Sequence, residues 1–303
     1  MNQKLIRILT LTLFLMMFGT IQVFGQTIYN NIPNPLPGNL FSQPFEAQGT
    51  SEFGDRVKFS IGSGRSLATV TQIMSSFGCQ SGHWTASNCV TTPGATFSVP
   101  VTLTVYNVVA GNQVGSVIGS VTQNFAIPYR PSADLINCTG ANAGKWYDAA
   151  SNTCFNGLAT PITFSLGGLV VPNEVIYGIA FNTSHYGYAP IGTAPACYST
   201  AAGCGYDSLN VAVADPGTLS VGFNPAANDA YQYTIYGSCS GLPIIPFGLD
   251  AGCWGGYKPA VRFNAANPPS NKNDCKNGGW TSLTTTSGQP FRNQGECVSS
   301  TNH

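Results

Sequence analysis

All four tryptophans, Trp84, Trp146, Trp254 and Trp280, lie in stretches bounded by cysteines, and that placement is the chain's strongest chemical signal. Cys79-Gln-Ser-Gly-His-Trp84 and Cys275-Lys-Asn-Gly-Gly-Trp280 share the pattern C-x-x-G-x-W. Cys138…Gly144-Lys-Trp146 is a looser copy, and Cys253-Trp254 sets an indole directly beside a cysteine. An aromatic ring on a disulfide-braced loop presents a rigid, flat apolar face on which a pyranose C–H face or another apolar ligand surface can stack. Trp84, Trp146 with its neighbour Tyr147, and Trp280 are therefore the candidate ligand-binding residues. The competing reading is that each indole covers its own disulfide and fills a small satellite core.

Signals for catalysis are weaker. The candidate acids are Glu46, Glu52, Asp55, Asp134, Asp148, Glu174, Asp207, Asp215, Asp229 and Asp250. Glycoside hydrolysis needs two carboxyl groups either about 5 Å or about 6.5–9.5 Å apart, and no motif selects a pair. Asp55 follows Gly54 and precedes a β-rich run, so it reads as a turn-ordering residue paired with Arg65; Asp207 in "GYDSLN" reads as a turn acceptor. His83 and His185 could serve a triad, which is defined by geometry and not by order, but there is no G-x-S-x-G elbow. In "GSCSG", residues 237–241, Cys239 sits where the serine would be. Metalloprotease, P-loop and EF-hand patterns are absent. With three histidines and no C-x-x-C, a zinc site is a poor reading, and neither metal nor cofactor is expected. The balance favours a non-catalytic protein.

The elements that would hold these residues begin with an export signal. Lys4 and Arg7 precede an apolar run from Ile8 to Phe18, and Val23-Phe24-Gly25 has small or β-branched residues at the −3 and −1 positions. This is the layout of a signal peptide over residues 1–25, cleaved before Gln26, with an apolar run too short to span a bilayer. An oxidising compartment then pairs the ten cysteines. Neighbour pairing gives Cys79–Cys89, Cys138–Cys154, Cys197–Cys204, Cys239–Cys253 and Cys275–Cys297, each loop of 10–20 residues contributing about 3 kcal/mol if unstrained. No later stretch is apolar enough for a membrane span. Beyond the signal, ten Lys/Arg face twelve Asp/Glu, leaving no basic stripe for nucleic acid.

β-Branched and aromatic runs bounded by Gly, Pro and Asn recur after residue 26, where helical periodicity is nearly absent. The expected strands are Arg56–Ile61, Leu67–Ser75, Phe97–Val108, Ser116–Ala126, Pro161–Leu166, Glu174–Asn182, Leu209–Ala214, Ala230–Tyr236 and Ala260–Phe263. In "FSVPVTLTVYNV" Val101, Leu103, Val105 and Val108 are read as one buried face, with Pro100 at a strand start or an edge. The fold class is all-β: an antiparallel two-sheet sandwich, jelly-roll-like, with disulfide-closed loops over residues 26–263. "NAANPPSNKND", residues 264–274, reads as a linker, and residues 275–303 as a small C-terminal module held by Cys275–Cys297.

Two stretches carry a resemblance. "SEFGDRVKFSIGSGRSLATVTQIMSS", residues 51–76, resembles the opening of an uncharacterised family of secreted bacterial β-sandwich proteins, in which E-x-G-D-x-[VI] leads into one strand and G-x-x-R-x-L into the next. Glu52, Gly54, Asp55, Arg65 and Leu67 stand at the matching positions. "DCKNGGW…FRNQGECV" is similar to a short C-terminal element, C-K-x-G-G-W…F-x-N-Q-G-x-C-V, on varied secreted bacterial proteins. The resemblance implies the fold and an extracellular or periplasmic location. The function expected is a secreted or surface-held binding or adhesion protein, with a glycan or another surface ligand as partner. The alternatives are a carbohydrate-active hydrolase or lyase on the same scaffold, and a structural matrix protein.

Overall fold

The computed structural model describes residues 25–60, 65–82, 84–181, 209–287 and 289–302. Residues 1–24 of the proposed signal segment, Cys197–Cys204, Asp207, His83 and His185 lie outside them.

Two antiparallel sheets pack face to face. One has six strands in the order β13 (Ile244–Ala251), β12 (Asp229–Thr234), β3 (Glu52–Lys58), β10 (Glu174–Ala180), β5 (Thr96–Val109) and β6 (Gln113–Pro128). The other is organised around β4 (Ser66–Ser76). One edge of β4 pairs along its length with β9 (Leu158–Val170), and the other pairs first with β15 (Val261–Ala265) and then with β11 (Leu209–Ala214). β1 (Thr27–Asn30) extends this sheet beyond β15, while β2 (Ser42–Gln43) and β14 (Lys258–Pro259) pair with β11. A separate hairpin joins β7 (Trp146–Asp148) to β8 (Thr153–Phe155). The chain alternates between sheets: β3 lies in one, β4 in the other, the β5–β6 hairpin in the first, β9 in the second. The crossing from β4 to β5 carries Cys79, Trp84 and Cys89, and the crossing from β6 to β9 carries Cys138, Trp146 and Cys154.

β5 shows how the sequence pattern becomes a face. Phe97, Val99, Val101, Leu103 and Val105 alternate inward and are buried. The expected continuation to Val108 fails, because Val108 lies three residues after Val105 and successive side chains of a strand point to opposite faces. Tyr106 and Val108 therefore pack on the outer side of the sheet against Ile176, Tyr231 and Phe247. Pro100 sits beyond the last residue of β5 paired with β10, Thr102, so its missing N–H falls where that side of the strand has no ladder.

Four of the five expected disulfides are present: Cys79–Cys89, Cys138–Cys154, Cys239–Cys253 and Cys275–Cys297. The tail forms its own small core of Cys275, Phe291 and Cys297 against Trp280, Leu283 and Val298. It ends in α1 (Gln294–Ser299), capped by the Asn293 side chain, which accepts from Glu296 N at 2.9 Å. The stretch read as linker begins two residues later than expected, since Asn264 and Ala265 complete β15 and are fully buried. The tail meets the sandwich chiefly where Thr284, also buried, exchanges hydrogen bonds with Asn267 at 2.9 and 2.8 Å. With separate hydrophobic cores, and with the Thr286 carbonyl against Gly168 of β9 as a further contact, truncation after Ala266 is expected to lower the melting temperature by only a few degrees. A larger loss in a thermal scan would make the tail part of the sandwich's folding unit.

Candidate functional site

A cleft of about 690 Å³ opens at the end of the sandwich where the Cys79–Cys89 and Cys138–Cys154 loops meet the segment entering β2. Its apolar lining includes Leu40, Phe41, Phe77, Trp84 and Phe155, with Asn39, Lys145, Asn156, Asn210 and Asp215 as polar groups. Trp84 opens a single 3-10 turn, Trp84–Ala86, and is half-buried, with its ring 5.2 Å from that of Phe77. Its indole N–H has no hydrogen-bond acceptor. Phe41, also in the lining, is 69 % exposed and leans edge-on against Tyr257 at 5.9 Å.

The polar groups are held from behind. Ser75 donates to Asn39 Oδ1 at 2.7 Å, and Asn210 accepts from Phe45 N at 3.1 Å while donating to Ser42 Oγ at 3.2 Å. Lys145 Nζ donates to Asn142 Oδ1 at 2.8 Å. The two loops are tied together by Arg130, which is fully buried. Its main-chain N–H donates to Gly78 O at 2.9 Å and its Nη2 to Gly144 O at 2.8 Å, so one residue links the approaches to both loops. Burial without a carboxylate contact lowers the Arg130 guanidinium to about 10, still charged near neutral pH.

The other tryptophans divide differently from the expectation that Trp84, Trp146 and Trp280 act as platforms. Trp146 is only 7 % exposed, stacked at 5.5 Å on Phe155, and its Nε1 donates to Gly157 O at 2.7 Å. The indole fills the space that Gly38 leaves open, where a Cβ would come within 2.8 Å of the ring. It helps fix the short β7–β8 hairpin to the sandwich, and with Tyr147 it also lines a second groove. Trp280 is half-buried in the tail's own core, and Trp254 packs on Phe53 at 5.0 Å with Nε1 donating to Asp250 Oδ2 at 3.0 Å. Tyr147 keeps part of its ring in solvent and donates its hydroxyl to Asn152 Oδ1 at 2.7 Å. It borders the second groove, of about 850 Å³, whose lip carries Leu135 and Ile136, 79 and 86 % exposed. Trp84 alone of the four lines the first cleft. Phe41, missed from sequence, is its counterpart; the available signal was an aromatic residue between the Pro37-Gly38 turn and Pro44, where a strand face had no room to bury it.

The carboxyl groups with the most perturbed environments are elsewhere. Asp55 lies in the middle of β3, not in a turn, and is buried against Lys258, not Arg65. Arg65 instead donates to Asn173 Oδ1 at 2.5 Å and lies over the Phe59 ring. Burial raises the Glu52 carboxyl, and the Tyr106 hydroxyl, donating to it at 2.8 Å, pulls it partly back. Asp134 accepts from the main chain of Ile136 and Asn137 at 2.8 and 2.7 Å, bonds that hold it below the usual carboxylate range and make it a turn residue. Among the described lining residues Asp215 is the one carboxylate in the cleft. Cys239 is disulfide-bonded to Cys253, so it is no nucleophile, and its main-chain N–H donates to Asp250 Oδ1 at 2.9 Å. In the described residues no helix is long and apolar enough to cross a membrane. Set against family models, curated proteins and solved structures, the chain matches none of them.

Proposed function

We propose that this is an exported, non-catalytic binding protein whose cleft between Phe41 and Trp84 takes up a segment of an extracellular glycan. The observation that carries the reading is an exposed aromatic ring and a half-buried one lining the same cleft, with the amides of Asn39, Asn156 and Asn210 among its polar groups. Sugar rings offer this chemistry in reverse: a C–H face that stacks on an aromatic, and hydroxyls that exchange hydrogen bonds with Asn side chains able both to donate and to accept. The amides are already anchored from behind by Ser75 and by the Phe45 main chain, so little ordering is required on binding. A single carboxylate among the described lining residues supports binding over glycoside hydrolysis, which uses two. The disulfides support export, as such bonds persist in oxidising compartments.

The test is a glycan array followed by titration of any hit. Trp84→Ala and Phe41→Ala are each expected to weaken binding at least about tenfold, equivalent to about 1.4 kcal/mol, while Trp280→Ala leaves it unchanged. A hit that survives Trp84→Ala removes the cleft from the reading. Turnover of a hit would favour a carbohydrate-active enzyme, and an array without hits a matrix protein.

A further inference from the structure

Lys258 and Asp55 meet in the interior of the sandwich, 3.0 Å apart from Nζ to Oδ1, with side chains 3 and 2 % exposed. Lys258 belongs to the sheet of β4 and Asp55 to the six-stranded sheet, so the contact bridges the two layers. An ammonium has three N–H bonds. Here one points at the Ala226 carbonyl at 2.6 Å, one at the Asp229 carbonyl and one at Asp55. Two polar atoms nearby are left over: Asp55 Oδ2 and the Tyr177 hydroxyl are buried without hydrogen-bond partners. Tyr177 is the direct cross-strand partner of Asp55 in the β10–β3 ladder.

A dry ion pair is costly to keep charged, because neither ion recovers its hydration. Moving one proton from Nζ to Oδ1 discharges both groups. Burial works toward the neutral acid, pushing the Asp55 carboxyl up to about 6 against the pull of Lys258. The two main-chain carbonyls still hold the amine's remaining N–H bonds. Nζ is already held 3.0 Å from a carboxyl oxygen, so amine and acid meet without diffusion, a gain that in well-oriented cases is worth an effective concentration of up to about 10⁵–10⁸ M.

We propose that Lys258 and Asp55 condense to an intramolecular isopeptide bond that joins the two sheets covalently. Nζ of the neutral amine adds to Cγ of the neutral acid. The C–OH bond of the tetrahedral intermediate then breaks, and the hydroxyl leaves as water with the proton that Nζ sheds. No oxidant or co-reactant is consumed. Tyr177, the cross-strand neighbour of Asp55, has a buried hydroxyl without a hydrogen-bond partner, and a shift of that side chain toward Asp55 would let it donate to the carboxyl oxygen while it carries negative charge. The product amide has no charge to bury and retains one N–H for one of the two carbonyls.

Peptide mapping of the folded, full-length protein decides the matter. After incubation near neutral pH the protein is denatured, reduced, alkylated and digested, and the fragments carrying residues 55 and 258 are identified by tandem mass spectrometry. The expected result is one branched peptide holding both residues, lighter by one water than the two linear peptides together. Lys258→Arg, which keeps the cation, is expected to give linear peptides only. Recovery of the two linear peptides at full mass from the unaltered protein, with no branched species, overturns the proposal whether or not the variant folds.

Discussion

Phe263→Ala should destabilise the protein by about 3–5 kcal/mol, the range for deleting a fully buried aromatic ring that its surroundings cannot collapse to fill. Phe263 sits on β15 with no exposed surface. Its ring lies 5.2 Å from Tyr177, 5.5 Å from Phe59 and 6.1 Å from Tyr29. Tyr177 and Phe59 come from the opposite layer or its continuation, and Tyr29 from the strand next to β15, so the ring is the point where both sheets interdigitate. Rings clamped by ladders on both sides cannot move inward to close the void, which places the cost toward the upper end of the range. A denaturant titration showing an unchanged slope and a midpoint lowered by that amount would bear this out. A loss under about 1 kcal/mol would mean that the cluster repacks and is not the keystone of the interface. Phe263→Leu, keeping most of the volume, should cost less than half as much.

What could be read in advance follows from range. The alternation in β5 and the β-branched run of β4 are local patterns, set by which side of a strand meets the core, and they identified the long strands. β13 was missed because "IIPFGLDA" carries Pro246 and Gly248 and lies at a sheet edge, where a strand needs neither alternation nor a full ladder. β1 and β2 are short enough that their pairing partners, not their own residues, define them. The cysteine pairs were legible because short loops close at little entropic cost. The tryptophans were located but not sorted, as a Cys-bounded loop is equally good at burying an indole and at presenting one. Trp146 became structural only through Gly38 and Phe155, and Gly38 lies more than a hundred residues away. Asp55 was misread for the same reason. Its local context, Gly-Asp before a β-rich run, fits a turn, while its partner is 203 residues distant and nothing near it in sequence signals that partner.

That distant partner makes Lys258→Met the other substitution of large effect, with an expected loss of about 3–5 kcal/mol near neutral pH, the cost of stranding one member of a buried charged pair. Methionine fits the volume but leaves Asp55 with neither the cation nor the hydrogen bond at Oδ1, in addition to an Oδ2 that already lacks a partner. Either way the variant leaves the carboxyl alone, and if the two side chains are joined as an amide the variant also loses that cross-link, which adds to the deficit. The pH dependence then has a definite sign. Burial already raises the Asp55 carboxyl to about 6, above its value in an unfolded chain, and losing Lys258 removes the main influence that lowers it. A folded state with the higher pKa binds its proton first. Its stability therefore grows as pH falls from the folded pKa toward the unfolded one, and is lost as pH rises back through the folded pKa. The deficit of Lys258→Met relative to the unaltered protein should shrink between pH 7 and pH 5, and the added change Asp55→Asn should remove most of that pH dependence. Denaturant midpoints for the three proteins at the two pH values measure this. A Lys258→Met deficit that widens on acidification would show that Asp55 is held charged by groups other than Lys258, with Arg56, the neighbouring cation that also lowers its carboxyl, the first to replace.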